Sequence, residues 1–298
     1  MIASGISFAR LLCHLRRLLH CLSIVYFHDL FISLFFIYNH LIPRTIHLSI
    51  GPTAHLTSIH IWTPLLHRRS KPTLVLIHGF GGDAKWQWHN QIRTLSRSFN
   101  LYIPDLIFFG NSRSNSPNRS VHFQAKCIAQ AMKHLGLERY NIVGISYGGF
   151  VAYRMGLDVA TKEVEKIVVL TSGVCASDGR RRELVQREGR DVREILCPLR
   201  PEDLRLLVLR TMHRPPVWMP DFYLRDFIEM KYMDQRKERV ELLDELLSNG
   251  AGVNPLPVLS QETLLLWGDQ DKAFGEKVEA GDNKGWRTCT AVGEGAPS

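Results

Sequence analysis

Three apolar runs that end in glycine-bearing motifs set what this chain can fold into. TLVLIHGFGG spans 73–82, NIVGISYGG spans 141–149 and TLLLWGDQD spans 263–271. Each run is strand-length and continuous rather than alternating, the pattern of a strand covered on both faces. NLYIPD (100–105) and EKIVVLTSG (165–173) repeat it, and SIHIWTP (58–64) alternates like a half-buried edge strand. Between them, SVHFQAKCIAQAMKHLGLE places Ala125, Ile128, Met132 and Leu135 at helical spacing with Gly136 as a stop. A further helix is expected from Tyr147. Strands alternating with helices predict an α/β fold built on a doubly wound, mostly parallel sheet.

The chain divides into four stretches. Residues 1–43 are hydrophobic and basic, and 44–173 form the first part of the α/β core. Residues 174–258 are helical and charged without strand-like runs, and read as a cap over the carboxyl edge of the sheet. Residues 259–298 hold the last clear strand and an atypical tail. The net charge of +8 is spread thinly, and the arginine-rich stretch 178–210 is laced with Glu and Asp. That is a solvated helix face, so no nucleic-acid partner is expected. Six cysteines without metal, redox or disulfide spacing fit an intracellular chain with reduced thiols.

The N-terminal stretch puts Arg10, Arg16 and Arg17 before an apolar run that His28 and Asp29 interrupt on one side and Asn39 and His40 on the other. A spanning helix needs roughly 20 apolar residues, and an Asp near its centre costs about 3 kcal/mol. A membrane anchor or interfacial helix within residues 10–42, giving contact with a membrane surface, stands beside a targeting segment as the expectation.

Ligands of open α/β sheets bind beyond the carboxyl ends of the strands, where all three glycine motifs fall. Ser146 sits between a strand and a helix, where a tight elbow strains the backbone of a nucleophile. Gly144 and Gly148 are needed there because side chains would meet neighbouring backbone. Acyl transfer needs two N–H donors at the developing oxyanion. Tyr147 supplies one and Phe80, in the loop after TLVLI with Gly79 beside it, the other. His78 reads as a support of this loop rather than a base.

With HGFGG, PDLIFFGNS (104–112), GISYGG, a helical cap and WGDQD in this order, residues 55–275 resemble the α/β-hydrolase superfamily. The nearest likeness is to plant monoacylglycerol-lipase-like and meta-cleavage-product-hydrolase-like members. The resemblance implies an eight-stranded sheet with a helical lid, Ser146 as nucleophile, Asp271 rather than Asp269 as the acid, and no metal or organic cofactor. A serine at the elbow argues against epoxide hydrolase or haloalkane dehalogenase chemistry.

The pattern breaks after Asp271. The family order is Ser, Asp, His, yet all thirteen histidines lie at or before His213. The tail 272–298 also lacks an apolar run, so the last strand and helix of the fold are expected to be missing. His78, His89 and His122 lie near the carboxyl edge, but none fits the pairing with Asp271. The leading expectation is a serine hydrolase of small carboxylic-ester or lipid-like substrates, with carbon–carbon hydrolysis of a dienoate left open. Cap residues Leu206, Leu207, Val217 and Trp218 fit an acyl or aromatic group as well as plain helix packing. The alternative is a catalytically inactive binding or receptor-like protein of the same fold, or a non-functional isoform. A membrane-attached interaction module is a third, weaker reading.

Overall fold

A computed structural model describes residues 23–50, 55–175, 190–216, 218–249, 257–268 and 286–291. In chain order these form helix α1 (Ile24–Tyr38), strands β1 (Leu41–Ile50), β2 (His55–Pro64) and β3 (Thr73–Ile77), helix α2 (Ala84–Ser98), and strands β4 (Asn100–Pro104) and β5 (Arg113–Ser114). Helix α3 (Val121–His134), strand β6 (Tyr140–Ile145), helix α4 (Tyr147–Arg154) and strand β7 (Val164–Leu170) follow. Helices α5 (Val192–Leu196), α6 (Pro201–Thr211), α7 (Asp221–Tyr232) and α8 (Arg236–Asn249) precede strands β8 (Glu262–Gly268) and β9 (Trp286–Ala291).

The strands form one sheet in the order β1-β2-β4-β3-β6-β7-β8-β9, with β5 paired to β2. Pairings among β4, β3, β6, β7, β8 and β9 are parallel, whereas β1–β2 and β2–β4 are antiparallel. Alternation along each strand splits the core in two. Ile59, Ile61, Val75 and Ile77 pack with α3 and α4 on one face. Trp62, Leu74, Leu76 and Ile103 pack with Ile32 and Phe36 of α1 and Trp88 and Ile92 of α2 on the other. Side-chain caps start the helices that hold this arrangement. Asp83 accepts from Trp86 N at 3.0 Å to open α2, and Ser120 accepts from Phe123 N at 3.1 Å to open α3.

Two expectations are corrected. SIHIWTP is not an edge strand, because β1 pairs along its whole length and takes the edge. Only Leu41, Ile46 and Ile50 of β1 are buried, so its apolar pattern is too sparse to read, and Pro43 is tolerated there because an edge strand need not donate on its open side. The tail also does not leave the sheet without a strand: WRTCTA continues it as β9, parallel to β8. An aromatic and two β-branched threonines favour extended backbone although the segment is polar.

Candidate active site

Ser146 stands at the carboxyl end of β6, half-buried, with φ 53° and ψ −117°. A serine in this sparsely populated region costs on the order of 1–3 kcal/mol and persists only where its surroundings fix it. They do so at both ends. Ser146 N donates to Leu170 O at 2.9 Å. Ser146 O accepts from Gly149 N at 3.0 Å and from Ser172 Oγ at 2.7 Å. Glycines make room for the turn: a Cβ on Gly144 would lie 2.3 Å from Gly148 O, and one on Gly148 would lie 2.5 Å from Ile77 O. Helix α4 therefore rests directly on β3, with the N-terminus of the helix at the serine.

The loop after β3 comes equally close. A Cβ on Gly79 would lie 3.2 Å from Ser146 Cβ. Phe80 and Tyr147 are buried against one another, ring centroids 5.6 Å apart, and Phe109 packs on Phe80 at 5.1 Å. No backbone carbonyl among the described residues accepts from the N–H of Phe80 or Tyr147 outside regular helix and strand bonding.

His78 is fully buried and its tautomer is fixed by its partners. Its Nδ1 donates to Gly79 O at 2.7 Å, because a carbonyl can only accept. Its Nε2 accepts from Leu106 N at 2.9 Å, because an amide can only donate. Burial lowers its pKa further, so the ring is neutral and has no free lone pair for a proton. His89 donates to Trp86 O of its own helix at 3.0 Å, and His122 faces Asp158 at 3.5 Å. Among the described residues no histidine is hydrogen-bonded to Ser146. Asp271 and Asp269, like Val217 of the cap, lie outside the described residues.

Sequence reading missed the groups that hold this site in place. Ser172 and Gly149 lock the elbow; a Cβ on Gly149 would lie 2.6 Å from Ser172 Oγ. Asp105, buried, accepts from Ala84 N at 2.9 Å and Asn111 N at 3.0 Å and pairs with His60 at 2.9 Å. Burial alone would raise its pKa, yet these partners hold it low. Tyr232 of α7 donates to Gly81 O at 2.7 Å, tying the cap to the loop that carries Phe80. The glycine-then-glycine of GISYGG and the Asp of PDLIFFGNS were the available signals; Tyr232 had none.

The cap itself is a small apolar cluster of Ile195, Leu204, Leu207, Leu224, Ile228 and Tyr232. Leu206 packs on this cluster, and Leu207 comes within 3.6 Å of a Cβ built on Gly81, whereas Trp218 is exposed. The elbow, the Phe80 loop and the apolar cap lie together at the carboxyl edge of the sheet, and the match to a family model agrees with that architecture. Residues 72–293 match the alpha/beta hydrolase fold family, and the chain belongs to it.

An uncharacterized Mycobacterium bovis protein is 28% identical over 128 residues, which is 43% of this chain and 37% of that protein. The chain thus spans little more than a third of the length of the first curated relatives it matches. A membrane phospholipase A, described as a bacterial virulence factor, superposes with TM-score 0.73 at 21% identity, covering 97% of this chain and 90% of its own. A 2-hydroxy-6-oxo-6-phenylhexa-2,4-dienoate hydrolase of a Rhodococcus species superposes with TM-score 0.66 at 20% identity, covering 84% and 90%. At such identities these structures share the fold.

Proposed function

We propose that the protein is a serine hydrolase of carboxylic-ester or lipid-like substrates, with Ser146 as the nucleophile. The observation that carries this reading is the strained serine at the helix N-terminus, held by Leu170, Gly149 and Ser172. Ser146 Oγ adds to the carbonyl carbon, and the N–H groups of Phe80 and Tyr147 bond the oxygen as it gains charge. The ester C–O bond then breaks and the alcohol leaves with the serine proton, giving an acyl-serine; water adds to that carbonyl, and the acid is released as Ser146 regains its proton. Asp271 is proposed as the acid of the site. Neighbours of the same fold, among them the phospholipase, agree with an ester or lipid substrate without fixing it.

The proton of Ser146 is the weak point. A serine without a base is a poor nucleophile at neutral pH. An oxyanion hole and binding alone leave roughly 10³–10⁴-fold acceleration over water in enzymes stripped of triad members. Turnover of p-nitrophenyl butyrate by the purified chain is therefore expected to be slow but measurable, and Ser146→Ala should return it to the buffer rate. Equal rates in wild type and variant would rule this reading out.

That no histidine among the described residues is hydrogen-bonded to Ser146 favours a second reading, ligand binding without turnover. Calorimetric titration separates the two: saturable binding of an ester that is recovered intact supports the second and excludes the first.

A further inference from the structure

We propose that the outward face of α1, with Leu65, Leu66 and the cap residues Trp218 and Phe222, is a docking surface for an anionic lipid bilayer, on which α1 lies without crossing it.

Helix α1 is apolar all round but docks by one face only. Val25, Ile32 and Phe36 are buried, and Ile32 and Phe36 pack into the core on this face of the sheet. Asp29 anchors the same side to Lys85 at 2.6 Å, to Lys231 at 2.5 Å and to Trp86 Nε1 at 2.7 Å. Ser33 and Phe35 are half-buried beside them, and the opposite face stays in solvent. Eight of its fifteen residues are exposed large hydrophobics, among them Phe27, Phe31, Leu34 and Tyr38 along one stripe. Phe31 is 67% exposed and Tyr38 80%.

The patch continues at both ends of the helix. Leu65 N donates to His40 O at 2.8 Å, which sets Leu65 and Leu66, both exposed, next to the C-terminal end. At the N-terminal end Ser23 Oγ donates to Asp226 of α7 at 2.7 Å and His28 bonds Tyr223. Phe222 precedes Tyr223 and stacks edge-on with Trp218, which is 68% exposed. Exposed large apolar side chains gathered on one helix and at both its ends, rather than scattered singly, mark an interaction surface.

Charge selects the occupant. Residues 1–82 contain seven Lys and Arg and a single acidic residue, Asp29, which two lysines already neutralise. Arg68 and Arg69 follow Leu65 and Leu66 after His67 and are exposed, as is Arg44 on β1. None of the three pairs with a carboxylate among the described residues. Apolar side chains bordered by unpaired arginines are complementary to a headgroup region carrying negative charge over a hydrocarbon layer. Asp221, beside Phe222, is already paired with Arg205 at 2.8 Å.

The helix is too short to span. Fifteen residues extend about 22 Å, against a hydrocarbon core of about 30 Å. No helix among the described residues is long and apolar enough to cross a membrane. Lying flat, α1 would bring α7 to the lipid, and α7 ends at Tyr232 on the Phe80 loop.

Flotation of the full chain with phosphatidylcholine vesicles, with and without phosphatidylserine, tests this without any turnover, so it stands or falls apart from Ser146 chemistry. The chain is expected to float with the phosphatidylserine vesicles. The Phe31→Glu/Leu34→Glu variant should lose about tenfold or more of its partition coefficient. Its circular dichroism and melting should be unchanged, since both side chains are exposed. Arg68→Glu/Arg69→Glu provides the second variant and should weaken flotation only when phosphatidylserine is present. Undiminished flotation of both variants would place binding elsewhere, in residues 1–22, and overturn the proposal. So would a folded wild-type chain that does not float, or a dimer that Phe31→Glu dissociates without any vesicle binding.

Discussion

Lys231→Ala is expected to be the most destabilising single change in this protein, by about 3–5 kcal/mol, the range for removing one partner of a buried ion pair. Lys231 is 9% exposed and bridges Asp29 at 2.5 Å and Asp83 at 2.7 Å. Its ammonium also lies 5.5 Å from the centroid of the Trp86 ring. These contacts join three parts of the chain: α1, the start of α2 and the cap helix α7. Without the lysine, two carboxylates stay half- or fully buried with only Lys85 to offset one of them. A fall in Tm of roughly 10 °C follows for a chain of this size. Lys166→Met, which breaks an exposed pair with Glu262, should stay within about 0.5 kcal/mol.

The network also sets a pH window. Burial alone would raise the Asp29 pKa, but Lys231 and Lys85 outweigh it and hold it below the ordinary carboxylate value. Its contribution is therefore present at neutral pH and is lost as pH falls through that depressed value. Burial would lower the Lys231 pKa, but Asp83 and Asp29 raise it above the ordinary lysine value. That contribution is fully present below the unfolded lysine pKa and disappears only as pH rises through the raised one. Melting temperatures of wild type and Lys231→Ala should converge at both extremes.

Gly148→Ala is expected to lower any Ser146-dependent rate by about 100-fold, the effect of roughly 1 Å of misplacement at a reacting centre. The new methyl would meet Ile77 O at 2.5 Å and His78 O at 2.6 Å, both backbone atoms of a central strand and its loop. Neither can move aside as a side-chain end could. Helix α4 must lift from β3, carrying the Tyr147 N–H away from the Phe80 loop. Gly268→Ala is the matched control, because a Cβ there meets nothing within 4 Å. Comparable rate losses in both variants would mean that the elbow packing does not set the reaction geometry.

The elbow was legible because its signal is local. An apolar run, a glycine, a serine and two more glycines force strand, turn and helix within ten residues, whatever the rest of the chain does. The burial of β3 and β4 on both faces was legible for the same reason. The Asp29–Lys231 link was not, since its partners stand 202 residues apart and only the packed fold brings them together. In the sequence Asp29 reads as an interruption of an apolar helix; in the fold it is the group that fixes which side of that helix faces inward. Strand β1 escaped notice because two edge-facing stretches dilute its three buried residues, and β9 because its side chains are mostly polar. The tautomer of His78 depends on a backbone amide 28 residues away, which no spacing rule encodes.

The most direct test is the rate at which a fluorophosphonate ester labels the folded chain as pH is raised, with Ser146→Ala alongside. A preorganised serine without a histidine base predicts labelling that the variant abolishes. Its rate should climb about tenfold per pH unit through the neutral range, without the plateau that a base titrating near 6.5 would impose. A chain that is demonstrably folded yet stays unlabelled at every pH, or labelling that survives Ser146→Ala, would contradict Ser146 as the reacting group.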